Sequence, residues 1–142
     1  MSLYFDTSAF VKLFMTEPGS DLARAMWSSS EILATNRVTY VEARAAVAAA
    51  RRAGRLPETE HGAVDEALED RFLEVEVIEV TAEIARTAGN LADEHLLRGY
   101  DAVHLASSLA LSGDPVVMVT WDRELAWAAY RSGLDLAGIS LE

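Results

Sequence analysis

Apolar residues gather along this chain in short runs separated by longer mixed stretches. The runs are SLYF (2–5), EILATN (31–36), VEVIEV (75–80), PVVMVTW (115–121) and LDLAGI (134–139). Each has the length and residue types of a β-strand. The stretches between them read as helices. One covers 7–15, and the Pro18-Gly19 break opens a second that runs to about Ser29. A third covers 38–53 and stops at Gly54; Pro57 starts a fourth that reaches Phe72. Thr81 caps a fifth, expected to run to Arg98 with Gly99 as its breaker. The sixth spans Tyr100 to Ser112, and the last runs from Asp122 to Ser132, closed by Gly133. Strands alternating with helices predict an α/β domain with a mainly parallel sheet of four to five strands. The alternation in VEVIEV suits an edge strand, whereas PVVMV, apolar throughout, suits a central one.

Length and composition narrow this picture. The 142 residues fit one domain spanning 1–142. With 51% hydrophobic residues the chain can fill a core, and at a net charge of -11 bulk attraction cannot be what holds a nucleic acid. The absence of cysteine excludes disulfides, a thiolate zinc site and a Cys nucleophile. No apolar run reaches the ~20 residues of a membrane span, and MSLYFDTS lacks the marks of a signal peptide. A soluble, cytoplasmic protein with no membrane partner is expected.

Charge becomes informative at the strand ends, because open α/β sheets bind ligands outside the carboxyl ends of their strands. Asp6 follows the first strand, and Thr120 and Asp122 follow PVVMV. Asp101 opens a helix after Gly99, and Glu42 lies early in the helix that follows Asn36. Each acid has an ordinary reading. Asp6 and Asp122 stand at N-cap positions, a role worth ~1 kcal/mol. Asp101 lies in a first helical turn, where the dipole favours negative charge, and Glu42 fits a solvated helix face. Together, four acids on one sheet edge would repel one another and lose hydration. Mg²⁺ or Mn²⁺ relieves this, because hard cations take oxygen ligands and keep several waters. Such a cation also supplies the positive charge that the chain lacks for a phosphodiester. Both readings stay open on spacing alone.

Four ordered segments bear a further resemblance. YFDTSAFVKLF, TYVEARAAV, RGYDAVHLASSLAL and VVMVTWDREL resemble the motifs of the PIN-domain family, and within it the VapC-type toxins of toxin–antitoxin pairs. The resemblance covers essentially the whole chain. It implies a three-layer α/β/α sandwich and a Mg²⁺- or Mn²⁺-dependent endoribonuclease. It implies Asp6, Glu42, Asp101 and Asp122 as the catalytic acids. Asp6 and Asp101 would bind metal directly, Asp122 through water or with a second ion, and Glu42 would orient or deprotonate the attacking water. Ser8 and Thr120 match the hydroxyls that brace Asp6 and Asp122. A VapB-like antitoxin and a homodimer are implied as partners. The motif Asp-Arg-Glu-Leu departs from the family, where an aromatic commonly follows the Asp, and this touches only local packing.

Other residues carry weaker signals. His104 lies one turn after Asp101 on the same face, with a contact to substrate or a structural role both open. His61 and His95 stand alone, and no H-E-x-x-H spacing supports a zinc enzyme. The run Ser28–Ser30 has no G-x-S-x-G context. The basic residues are eleven Arg and the single Lys12. Lys12, Arg44 and Arg123, with Arg51, Arg52 and Arg55, are candidates to guide an RNA strand, or simply balance local acids. The ten acids of 58–83 read as a solvated face. Trp27, Trp121 and Trp127 suit the core, although Phe14, Met15, Met26 and Trp27 would be exposed if they lined an antitoxin groove. The competing reading is a PIN-like module that binds RNA or protein without catalysis. An aspartate-based phosphatase using Asp6 is disfavoured, because position 8 is Ser where a second Asp would be needed.

Overall fold

A computed structural model describes residues 1–29, 31–111 and 115–142. Five strands, β1 (Ser2–Phe5), β2 (Ile32–Asn36), β3 (Glu76–Ile78), β4 (Val116–Thr120) and β5 (Asp135–Gly138), form one sheet in the order β3-β2-β1-β4-β5. Every pairing is parallel. The helices are α1 (Thr7–Phe10), α2 (Ser20–Trp27), α3 (Arg37–Arg52), α4 (His61–Leu73), α5 (Ala82–His95), α6 (Gly99–Leu109) and α7 (Arg123–Arg131).

The two faces of the sheet explain the alternation along the strands. Leu3, Phe5, Val117 and Val119 point to one face and pack with Phe10, Ala23, Val47, Leu68 and Phe72 of α1–α4. Tyr4, Ala34 and Met118 point to the other and meet Ile84, Leu91, Leu105 and Leu125 of α5–α7. The result is helix–sheet–helix layering, as expected for a parallel sheet covered on both sides. β4 is buried at every position between β1 and β5, and β3 is an edge strand, matching what their patterns predicted. The chain builds β1, β2 and β3 outward on one side, then returns to place β4 against the other side of β1. Strand order therefore reverses beside β1, where the carboxyl ends open a crevice.

Several boundaries differ from expectation. The helix expected over 7–15 is a single α-turn followed by a 3₁₀ turn, Val11–Leu13. β3 covers three residues rather than six. α5 ends at His95, where Leu96 takes a left-handed conformation with φ 55°. Gly99, expected to break a helix, is the first residue of α6. The expected end of that helix at Ser112 lies outside the described residues, as does Ser30. Trp27 is buried, stacked edge-on against Phe5 and Phe10 at 5.0 and 5.9 Å, with its Nε1 donating to Glu74 at 2.8 Å. It is a core residue and does not offer an exposed anchor; Phe14, Met15 and Met26 are half-buried against the same core. No helix among the described residues is long and apolar enough to cross a membrane.

Candidate active site

At the carboxyl end of β1, Asp6 performs the N-cap role and more. Its Oδ1 accepts from the Ala9 backbone N–H at 2.9 Å and starts α1. Ser8 Oγ lies 2.7 and 2.9 Å from its two oxygens, and Thr120 Oγ1 donates to Oδ2 at 2.6 Å. Thr120 also accepts from the Asp122 backbone N–H at 3.0 Å. Asp122 in turn caps α7 by accepting from Leu125 N–H at 3.0 Å. Capping and site membership thus coincide: the turn that starts each helix aims a carboxylate at the crevice. Thr120 braces the carboxylate of Asp6 and the backbone of Asp122 together.

Asp101, in the first turn of α6, is buried. Arg98, one turn earlier, reaches it through Nε at 3.3 Å and reaches Asp122 through Nη2 at 3.4 Å. One exposed guanidinium therefore spans two acids from separate segments. Burial pushes the Asp101 carboxyl above its ordinary range, and the neighbouring Asp122 adds to this, with Arg98 opposing both. Asp6 is also pushed up by burial, against the charge of His104 and the bonds from Thr120, Ser8 and Ala9. These acids sit in an excess of negative potential.

Glu42 comes from α3, in the opposite helical layer, and is half-buried. Its Oε1 accepts from Thr7 Oγ1 at 2.6 Å and from His104 Nε2 at 2.9 Å. Burial would raise this carboxyl, but the bonds from His104 and Thr7 and the charges of His104 and Arg98 outweigh it, and the result is a lowered value. The carboxyl of Glu42 is thus shifted down where those of Asp6 and Asp101 are shifted up.

The predicted RNA contacts fare unequally. Lys12 is buried, with Nζ donating to Glu17 at 2.8 Å and to the Pro18 carbonyl at 2.9 Å, and lying 5.0 Å from the Trp121 ring centroid. It ties the turn after α1 to Trp121 and presents no cation to solvent. Arg44, two positions beyond Glu42, points away from it, because residues two apart do not share a helix face. It meets Tyr40 at 2.9 Å and Glu69 at 3.3 Å. Arg51 similarly pairs with Asp65 at 2.7 Å, so part of the acidic 58–83 stretch is matched by α3 arginines. Arg123 is exposed on the rim of an open cleft shared with Arg98, Trp121, Asp122 and Glu124. Thr7, Tyr4 and Arg98 were missed by sequence reasoning. Thr7 lies inside the Asp-Thr-Ser motif, the one signal that pointed to it.

Among the described residues, no group of three acidic or histidine side chains is placed to hold a metal ion. Asp6 has both oxygens engaged. Asp101 and Asp122 are brought together across Arg98. This donor set still fits a hydrated hard cation, which commonly takes one or two carboxylates and completes its shell with water. The fit rests on oxygen-only donors and on the upward pressure that Asp122 exerts on Asp101.

Comparison with known proteins bears on the family and the fold. The PIN domain family model matches residues 3–131. The chain is 44% identical to Ribonuclease VapC45 of Mycobacterium tuberculosis over 140 residues, 99% of this chain and 97% of the relative. The structure of PAE2754 from Pyrobaculum aerophilum superposes with a TM-score of 0.70 at 24% identity, covering 96% of this chain and 83% of that one. A toxin–antitoxin complex from Klebsiella pneumoniae gives a TM-score of 0.60 at 20% identity, covering 84% and 86%. The chain belongs to the PIN domain family.

Proposed function

We propose that this chain is a VapC-type endoribonuclease that hydrolyses RNA phosphodiester bonds with Mg²⁺ or Mn²⁺, and is kept silent by a VapB-like antitoxin. The observation that carries this reading is the 44% identity to a ribonuclease over nearly the whole chain, and it is supported by the links of Asp6 to Thr120, of Asp101 and Asp122 to Arg98, and of Glu42 to His104. The antitoxin rests on the fold shared with a toxin–antitoxin complex. We place residues 1–142 as one functional unit acting as a homodimer; exposed Val41 and Tyr100 beside Glu42 offer apolar surface for a second copy.

In this reading Asp101 and Asp122, with Asp6, would hold a divalent cation, which would supply positive charge for the phosphate and acidify water. Glu42, held as a carboxylate, accepts a hydrogen bond from the attacking water and then its proton. The new bond runs from the water oxygen to phosphorus, and the bond to the 3′-oxygen breaks. The 5′-phosphate stays on the downstream fragment. Arg123 on the cleft rim contacts the RNA backbone. Ser8 and Thr120 keep Asp6 from turning.

Calorimetric titration of partner-free protein with Mn²⁺ tests the metal. Wild type is expected to bind and folded Asp101→Asn is not. Arg98→Ala should bind more tightly, since the guanidinium no longer competes with the cation for two acids. Failure of wild type to bind, or equal binding by Asp101→Asn, would sink the metal assignment.

A further inference from the structure

The buried imidazole of His104 lies between two side chains that belong to different layers. Its Nδ1 is 2.8 Å from Tyr4 Oη, and its Nε2 is 2.9 Å from Glu42 Oε1. Thr7 Oγ1 reaches the same Glu42 oxygen at 2.6 Å and lies 3.3 Å from Nε2. An ionised carboxylate can only accept, so Nε2 carries the hydrogen of that bond. On the neutral ring Nδ1 then keeps its lone pair, which the Tyr4 hydroxyl fills by donating; on a charged ring Nδ1 donates to Tyr4 instead, and the bond to Glu42 is the same in both. Tyr4 is fully buried on the α5–α7 face of β1, and its ring meets the imidazole edge-on at 5.9 Å and 67°. A second bond holds α6 in place, Asn36 Nδ2 donating to Ser107 Oγ at 2.8 Å.

A buried histidine with both nitrogens satisfied is usually structural. The destination of this chain of bonds makes the difference. Glu42 is part-exposed at the mouth of the crevice and lies on α3, across the sheet from α6. A glutamate there has three rotatable bonds, and freezing them costs conformational entropy. Thr7 holds one oxygen but leaves the carboxylate free to pivot. His104 holds that same oxygen from a second direction and so narrows the pivot, and Tyr4 keeps His104 from turning.

We infer that His104 is a positioning residue for the reaction, fixing the Glu42 carboxylate through Nε2–H while Tyr4 fixes the imidazole. The inference rests on the proposed role of Glu42. It predicts a loss expressed through Glu42 alone.

The test is cleavage of a fluorogenic single-stranded RNA oligonucleotide by the full chain with Mn²⁺, with folding followed by thermal melts. His104→Leu is expected to lower kcat by ~30–100-fold, within the range of a general base, with KM unchanged. His104→Gln, whose amide N–H can reach the position of Nε2–H, should recover most of that loss. Tyr4→Phe keeps the ring and removes only the donor, so it remains informative if His104→Leu folds poorly. It should lower kcat by about three- to tenfold through the lost bond. Added to Glu42→Gln, His104→Leu should cost nothing further, because both act on one carboxylate. Equal costs with and without Glu42 would overturn the inference and leave a structural histidine. A wild-type rate for Glu42→Gln would instead overturn the role of Glu42 beneath it. Nitrogen-15 NMR reads the same bond without RNA: an Nε2-protonated ring is expected, and a ring protonated only at Nδ1 would overturn the assignment.

Discussion

Asp101→Asn should abolish RNA cleavage while making the metal-free protein more stable. The activity loss is expected to reach ~10³-fold or more, because the substitution removes a metal ligand and the electrostatic pull on a phosphoryl centre together. The stability gain follows from where Asp101 sits. It is buried, faces Asp122, and has an exposed Arg98, with a smaller contribution from His104, to offset that repulsion. Its carboxyl is raised in the folded state, so folding favours the protonated form. That contribution is complete below the ordinary carboxylate pKa and is lost as pH rises through the raised one. At pH 7 the wild type carries the full burden of the ionised group and the Asn variant does not. Melting curves in chelator should therefore show the variant above wild type at pH 7, with the gap narrowing as pH falls towards 4. An inactive variant with a lower melting temperature throughout would mean that Asp101 holds the fold, and the catalytic reading would lose its main support. Full activity would end it directly.

Gly138→Ala is expected to damage the protein more than any other single methyl addition described here. Gly138 closes β5 at φ +109°, a conformation that side chains rarely adopt. A Cβ there would run into the carbonyl group of Thr120 and press on the Trp121 ring. Neither neighbour is the free end of a flexible chain. Thr120 pairs with Gly138 in the β4–β5 register, and its carbonyl accepts from Ile139 N–H at 2.9 Å. The backbone conformation alone costs on the order of 1–2 kcal/mol, and the displaced strand adds to it. The effect should reach the site as well, since Thr120 Oγ1 holds Asp6. Thermal unfolding should show a drop of several degrees, and the folded fraction should cleave more slowly. A variant as stable as wild type would show that β5 can shift without moving Thr120.

Much of this was legible in the chain because two physical signals were local. The five strands announced themselves through short apolar runs, and Asp6 and Asp122 through their places just after strands. The errors were local too. Gly99 looked like a helix breaker, yet Leu96 carries the left-handed turn and Gly99 opens α6. Leucine has no propensity for that conformation, so no composition rule could find it. Lys12 looked like a solvent cation; its burial depends on Glu17, Pro18 and Trp121 meeting around it. Arg44 lay near Glu42 in sequence but on the wrong side of the helix. The contacts of His104 join residues 62, 97 and 100 positions apart. Its spacing placed it on the face of Asp101, but nothing in spacing indicates that Tyr4 and Glu42 arrive from two layers to meet it.

The place of β4 has a consequence for synthesis. β1 leaves the ribosome before the other strands, but β4, one of its two neighbours in the sheet, is made more than a hundred residues later. Asp6 and Thr120, 114 positions apart, cannot meet before then. Asp122 comes later still, and β5, which backs Thr120, comes last. Domains form their long-range pairings only when both partners have emerged. A nascent chain missing its last quarter therefore carries Asp6 and Glu42 without the strand that braces the one or the acid that completes the set. For an enzyme proposed to cut RNA, made on a machine built of RNA, the order of its strands delays the appearance of activity until β4 and β5 have both emerged.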